Sequence, residues 1–405
     1  MERVDVQGPE LTLEEYVSAA VKTNQFSNDE SRTRLLKFGF FGEVGGLLAA
    51  LKKVDRDTLI GSQADFAAEE IGDALWYLAA VAAASGIDGH ELGAAGMQAL
   101  RTHFHESERE AAPAVSFRNL DGIVRQHSAG LDGQRDQLIC ELAGKAGNLL
   151  SPIQRKLTDE HLKARSDDFG PLLASLALVS GAFGLRIEDL AARNMRKIRE
   201  RWAGENPVYV DFFDKEMPEH EQLPREFDIE FTERGSGPSA HVVQSIGNIF
   251  IGDPLTDNSV VPDDYRFHDV FHLAYAVHLG WSPVLRALLK RKRKSNRETD
   301  EKQDGARAII IEEGIATWIF NYAEPFDYFA NVTEGKLEYG LLKQVTAMVR
   351  GYEVQACPPW QWARAILAGF EIFREMRLPE NRGGIVKVNL NDRTIKFVSK
   401  KRSET

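Results

Sequence analysis

Phe66-Ala67-Ala68-Glu69-Glu70-Ile71-Gly72-Asp73-Ala74-Leu75-Trp76-Tyr77-Leu78 sets two carboxylates, Glu70 and Asp73, three residues apart in a run that stays apolar as far as Ala84. Residues at i and i+3 share one face of a helix. Phe66, Ala67, Ala68, Ile71, Ala74, Leu75, Trp76, Leu78 and Val81 predict that most of this helix is buried. Buried carboxylates are costly unless they are paired or hold a cation. A third acid stands upstream, on a second apolar helix, in Phe41-Gly42-Glu43-Val44-Gly45-Gly46-Leu47-Leu48. Three acids on two neighbouring helices make an oxygen-ligand set suited to Mg²⁺, with Mn²⁺ as its substitute.

Outward from these helices, residues 11–105 read as helical throughout. Thr12-Leu13-Glu14-Glu15 is an N-cap with an acidic first turn. Helices are expected over 34–53, 66–85 and 90–105, with Gly86-Ile87-Asp88 as a C-cap and restart. Residues 106–130 are weakly patterned and read as a connector. Residues 131–202 then echo the first block. Gly144-Lys145-Ala146-Gly147-Asn148-Leu149-Leu150 parallels Gly42 to Leu48, and Asp167-Asp168-Phe169-Gly170-Pro171-Leu172-Leu173 parallels Glu69 to Leu75. Matching order and spacing across about a hundred residues favours duplication of one helical unit over chance likeness of apolar helices.

Beyond Pro207 the pattern changes. An acidic stretch with three prolines, 207–224, reads as a linker. Phe227-Asp228-Ile229-Glu230-Phe231-Thr232 alternates with period two, as does part of 241–251. Helices are expected over 265–290, 305–323, 336–351 and 359–376. A hairpin closes the chain, pairing Ile385 to Leu390 with Thr394 to Val398 across Asn391-Asp392. The expected division is 1–108 and 109–205 as two helical units, 206–226 as linker and 227–405 as an α+β domain.

The bulk numbers agree with a globular, mainly α chain. It has 405 residues, 43% of them apolar, and a net charge of −11. That charge argues against an extended nucleic-acid surface or an anionic membrane surface, although a local basic cluster stands at 290–294. Two cysteines, Cys140 and Cys357, are too few for a disulfide framework or a cysteine-based zinc site. The first residues lack the features of a signal peptide, and the longest apolar run carries Asp73, so a cytoplasmic protein is the expectation.

With Glu43, Glu70 and Asp73 in place, the first block resembles the MazG-like all-α nucleoside triphosphate pyrophosphohydrolases. Their pattern is Glu-x-x-Glu on one helix and Glu-x-x-Asp on the next. The resemblance rests on Gly42-Glu43-Val44-Gly45, Lys52-Lys53 and Glu69 to Leu78, and covers about half of the chain. It implies tandem MazG-like four-helix units and Mg²⁺-dependent cleavage of a nucleoside or deoxynucleoside triphosphate to monophosphate and pyrophosphate. It also implies a homo-oligomer. In that reading Glu43, Glu70 and Asp73 hold the metal, Glu69 or a metal-bound water path supplies the base, and Lys52 and Lys53 meet the triphosphate tail. The second acid of the first pair is absent: Gly46 stands there. N-terminal-turn or salt-bridge acids are the alternative reading of Glu43 and Glu70.

The second block has lost the acids, with Lys145 at the position of Glu43 and Pro171 at that of Asp73. It ends, however, in Asn194-Met195-Arg196-Lys197-Ile198-Arg199-Glu200-Arg201, which resembles the family's closing Asn-x-x-Lys-x-x-x-Arg helix. The first block has Gly96, Ala99 and His103 there. The two halves look complementary, implying one composite site in which Asn194, Lys197 and Arg201 bind substrate opposite the carboxylates. A solvated basic helix face is the other reading.

A second constellation lies in Tyr265-Arg266-Phe267-His268-Asp269-Val270-Phe271-His272. Histidines at i and i+4 have ligand spacing on a helix. Glu312 and Glu313, in an otherwise apolar helix, are the candidate acids to complete a transition-metal site. Hydrogen-bonded structural histidines are the alternative. This part of the chain resembles the uncharacterised C-terminal extension of some MazG-like proteins. Two further functions therefore stand beside the pyrophosphohydrolase: a nucleotide-binding sensor with the C-terminal domain as effector, and a metal hydrolase centred on His268 and His272.

Overall fold

In the computed structural model the described residues are 10–26, 31–56, 62–107, 114–150, 159–204 and 206–399, with the side chains at 53–56, 159–167 and 238 also outside the description. The chain divides into two units, Met1–Ile198 and Arg199–Thr405. The first is helical. Its elements are α1 (Leu13–Thr23), α2 (Ser31–Arg56), α3 (Gln63–Ala84), α4 (Gly89–His103), α5 (Phe117–Gln126), α6 (Arg135–Leu150), α7 (Asp159–Ala182) and α8 (Ile187–Arg201), whose last turn crosses into the second unit.

Local chemistry sets most of these ends. Thr12 with Glu15, Ser62 with Asp65 and Ser116 with Asn119 are capping boxes, each pairing two otherwise orphaned backbone N–H groups. Gly86 and Gly184, at φ 81° and 69°, take the left-handed conformation that closes α3 and α7. The segment expected as a connector contains α5. Ser116 starts it, and Phe117, Leu120, Ile123 and Val124 bury its apolar face, a stripe diluted in sequence by Arg118, Asn119 and Asp121.

Helices from both halves share one core, running from Leu13 through Ile71, Leu78 and Leu120 to Leu173 and Met195. A short antiparallel bridge joins the N-caps of α1 and α5. Leu13 N donates to Val115 O at 3.0 Å and Phe117 N to Leu11 O at 3.1 Å. Helix α4 packs closely on α7, where a Cβ at Gly170 would stand 2.6 Å from the Ala95 carbonyl oxygen. A backbone atom cannot yield as a side chain does. We expect Gly170→Ala to lower stability by about 1–3 kcal/mol. Gly144→Ala, where nothing lies within 4 Å, should be neutral or stabilising by up to about 1 kcal/mol. Urea denaturation of the two variants checks this; equal midpoints would refute the packing account.

The second unit is α+β. Its antiparallel sheet has the order β3 (Ile249–Leu255), β2 (His241–Ile246), β1 (Glu226–Arg234), β4 (Gly383–Asn389) and β5 (Thr394–Val398). The expected closing hairpin is present, with Ile385 opposite Val398 and Asn389 opposite Thr394. Around the sheet lie α9 (Asp269–Leu279), α10 (Pro283–Leu288), α11 (Arg297–Lys302), α12 (Ala306–Ala323), α13 (Tyr339–Met348) and α14 (Pro359–Met376).

Every residue of α9 is buried, and the helix ends at Gly280 with φ 69°. It packs on α14, α12 and the β4–β5 side of the sheet. Residues 207–224, expected as a linker, are pinned to this unit by the buried Asp214. Asp214 accepts from Leu223 N at 2.8 Å, Arg225 at 2.7 Å and Arg286 at 2.7 Å. Among the described residues no single helix is long and apolar enough to cross a membrane.

Candidate functional site

In the helical unit α3 presents Glu69, Glu70 and Asp73, α2 presents Glu43, and α8 presents Asn194 and Lys197. Lys197 Nζ donates to both oxygens of Asp73 at 2.6 Å and lies 3.7 Å from Glu69 Oε1. Asn194 Nδ2 donates to Asp73 Oδ1 at 3.1 Å and is itself held by Tyr16, whose hydroxyl donates to Asn194 Oδ1 at 2.8 Å. Helix α8 lies against Gly72 here, with Asn194 Cβ 3.6 Å from where a Cβ would stand. Carboxylates from the first half and an amide and ammonium from the second thus meet on one carboxyl group.

Glu43 carries the electrostatic signature. Its carboxyl is pushed up from 4.5 to about 7, by burial first, then by the charges of Asp73 and Glu70 and a hydrogen bond with Glu70, against the pull of Lys197. Crowded carboxylates that raise one another are the donor chemistry of a divalent cation site, although the three do not all converge to within 4.8 Å. The space at Gly46 is used: a Cβ there would lie 2.4 Å from Glu70 Oε2. The position where the resemblance leads one to expect an acid is therefore filled by the carboxylate of Glu70. Gly39 similarly makes room for the Tyr77 ring, whereas nothing lies within 4 Å of a Cβ at Gly42 or Gly45.

The remaining sequence candidates fall elsewhere. Lys52 is exposed near the end of α2, and the side chain of Lys53 lies outside the described residues. The Arg201 guanidinium stacks over the Trp202 and Tyr339 rings, at 4.8 and 4.5 Å, within the second unit. Lys145 donates to Ser175 Oγ at 2.7 Å beside a cavity of about 390 Å³ that Pro171 and His103 also line.

In the second unit His268, Asp269 and His272 bring one ligand atom each within 4.8 Å of one another; among the described residues they are the one such group of three. His268 precedes α9, Asp269 opens it, and His272 follows one turn later. His268 Nε2 is 3.2 Å from Asp269 Oδ1 and 3.8 Å from Glu313 Oε2. His272 Nε2 is 3.4 Å from Glu313 Oε2.

The other ring nitrogens are already engaged. His268 Nδ1 lies 2.9 Å from Tyr265 O, and His272 Nδ1 2.8 Å from Glu312 Oε1. Glu312 is fully buried and saturated. Its Oε1 also accepts from Ser282 Oγ at 2.6 Å, and its Oε2 accepts from Val284 N at 2.8 Å. It is therefore a positioning group, and Glu313 is the acid that faces the histidines.

Asp269 was missed as a ligand candidate, although its place beside His268 in His-Asp-x-x-His was a legible signal. Gln244 from β2 donates to its second oxygen. Burial opposes a charge on His272, but the charge and hydrogen bond of Glu312, then the nearby Glu313 carboxylate, outweigh it and hold the imidazole well above its ordinary range.

Residues 208–401 match the family model of the MazG C-terminal domain. The match covers the part of the chain that carries the His268 cluster and leaves the acid cluster outside it. No curated protein and no solved structure matches the chain.

Proposed function

We propose that the helical unit hydrolyses a nucleoside or deoxynucleoside triphosphate at the α-phosphate: water adds to phosphorus, the α–β anhydride bond breaks, and monophosphate and pyrophosphate leave. The observation that carries this is the crowding of Glu43, Glu70 and Asp73, with Lys197 and Asn194 placed on Asp73 from the other half of the unit. The match of 208–401 to a MazG-associated domain supports a nucleotide-related role for the chain.

Glu43, Glu70 and Asp73 would hold Mg²⁺ or Mn²⁺, which supplies neutralisation of phosphoryl charge and an acidified water. Lys197 has the second role. Its ammonium compensates Asp73 in the resting arrangement and would turn from it to an incoming phosphate oxygen. Tyr16 and Asn194 keep Asp73 aimed while Lys197 moves. Glu69, 3.7 Å from Lys197, is the candidate base. Lys52 and Lys53 on α2 are the cations for the far end of the triphosphate.

The test is a screen of the nucleoside and deoxynucleoside triphosphates with Mg²⁺, detecting pyrophosphate. Lys197→Ala is expected to raise KM about tenfold or more, on the scale of a lost hydrogen bond to a charged group, and Lys145→Ala to leave it unchanged. Pyrophosphate release from none of the substrates would refute the reading. Equal effects of the two lysine variants would refute the composite site.

A further inference from the structure

We propose that the second unit holds one divalent first-row transition ion, Zn²⁺ or Fe²⁺ by its donor chemistry, bound by His268, Asp269 and His272, with the Glu313 carboxylate beside both histidines. The proposal is independent of the nucleotide reading and uses none of its residues.

The distances carry it. Zinc–nitrogen and zinc–oxygen bonds of about 2.0–2.2 Å place the corners of a tetrahedron roughly 3.4 Å apart. The observed separations are 3.2 Å from His268 Nε2 to Asp269 Oδ1, 3.4 Å from His272 Nε2 to Glu313 Oε2 and 3.8 Å from His268 Nε2 to Glu313 Oε2. His268, Asp269 and His272 each bring a ligand atom within 4.8 Å of the others, and Glu313 stands at a similar spacing from the two histidines. His272 Nε2, buried with its side chain 1% exposed, makes no hydrogen bond. A buried nitrogen without a partner is costly in a helix that is otherwise wholly buried, and a cation among the three ligands removes that cost.

The surroundings are those that metal ligands require. Each histidine has its Nδ1 fixed by an acceptor, a backbone carbonyl for His268 and a buried carboxylate for His272, which leaves Nε2 as the ligand atom of each. Tyr265 stacks on the His268 ring, 4.3 Å between centroids and 1° between planes, and locks its rotation. Ser282 and Val284 N hold Glu312, and Gln244 holds Asp269.

Two imidazoles and one carboxylate are a borderline donor set. It favours zinc or iron over the all-oxygen shells of Mg²⁺ and Ca²⁺. The three ligands are at most 8% exposed, whereas Glu313 beside them is 40% exposed. The ion is thus reached past Glu313, on the side that the three ligands leave open.

Full-length protein, stripped with a chelator and then dialysed against Zn²⁺ or Fe²⁺, is expected to retain one ion per chain by elemental analysis. Glu70→Gln should retain the same amount, because that residue lies in the helical unit's acid cluster. His272→Gln and Asp269→Asn should each lose the ion, and Glu313→Gln should weaken retention at least tenfold. Co²⁺ loading should give a visible ligand-field spectrum in the wild type that His272→Gln lacks. Glu313→Gln changes a partly exposed side chain, so it keeps the test open if the buried variants do not fold. Wild-type protein that retains no ion after loading would overturn the proposal, as would Glu313→Gln and Asp269→Asn proteins that retain it undiminished.

Discussion

Glu70→Gln and Asp73→Asn should each reduce pyrophosphate release at least about 100-fold, beyond the cost of losing an outer-shell partner of a metal ligand. Both substitutions keep side-chain volume and remove one negative charge. Their stabilities should differ in direction. Glu70→Gln removes a charge that raises Glu43, so metal-free protein should melt at a higher temperature than the wild type. Asp73→Asn removes the partner of Lys197 and should not share that gain.

Glu43 fixes the pH window. Its carboxyl rises from 4.5 to about 7 in the fold, so the folded chain holds this proton more tightly than the unfolded chain. The stability from Glu43 is fully present below about pH 4.5 and is lost as pH rises through about 7. Metal-free wild type should therefore melt lower at pH 8 than at pH 6, and Glu43→Gln should flatten that slope. Full activity in either acid variant would remove the assignment.

Gly46→Ala is expected to abolish activity while leaving the fold intact. Its Cβ would stand 2.4 Å from Glu70 Oε2, the far end of a flexible side chain. The carboxylate will swing aside at little cost, and α2 gains up to about 1 kcal/mol in helix propensity. Glu70 then no longer faces Glu43. Gly45→Ala is the matched control, because nothing lies within 4 Å of its Cβ. It should bring the same gain with activity retained. Thermal melts with pyrophosphate assays on the pair decide this, and an active Gly46→Ala protein would show that Glu70 is not held by the gap.

Much of the fold was legible because its signals are local. The 3.6-residue spacing around Glu70 and Asp73 marked α3, and the Gly86 region marked its end. Period-two alternation marked β1, and the hairpin over β4 and β5 was read nearly to the residue. Less legible was α5, in which five of the ten residues are polar and one of them, Asp121, is buried. Residues 207–224 look like a linker by composition, yet Asp214 is held by Leu223 N, Arg225 and Arg286, groups 9, 11 and 72 residues away.

The sites divide along the same line. By itself the sequence determined which residue types stand at which helical spacing: three acids on two helices, Asn194 and Lys197 one turn apart, and His268 and His272 one turn apart. Those follow from the 3.6-residue period and need no partner. Tertiary structure alone decided what each side chain meets. Lys197 finds Asp73 across 124 residues, and Glu312 finds His272 across 40. Glu312 and Glu313 are neighbours in sequence, but consecutive helical positions point about 100° apart. Packing of α12 beside α9 therefore gave one a buried positioning role and the other the solvent-facing corner of the histidine cluster.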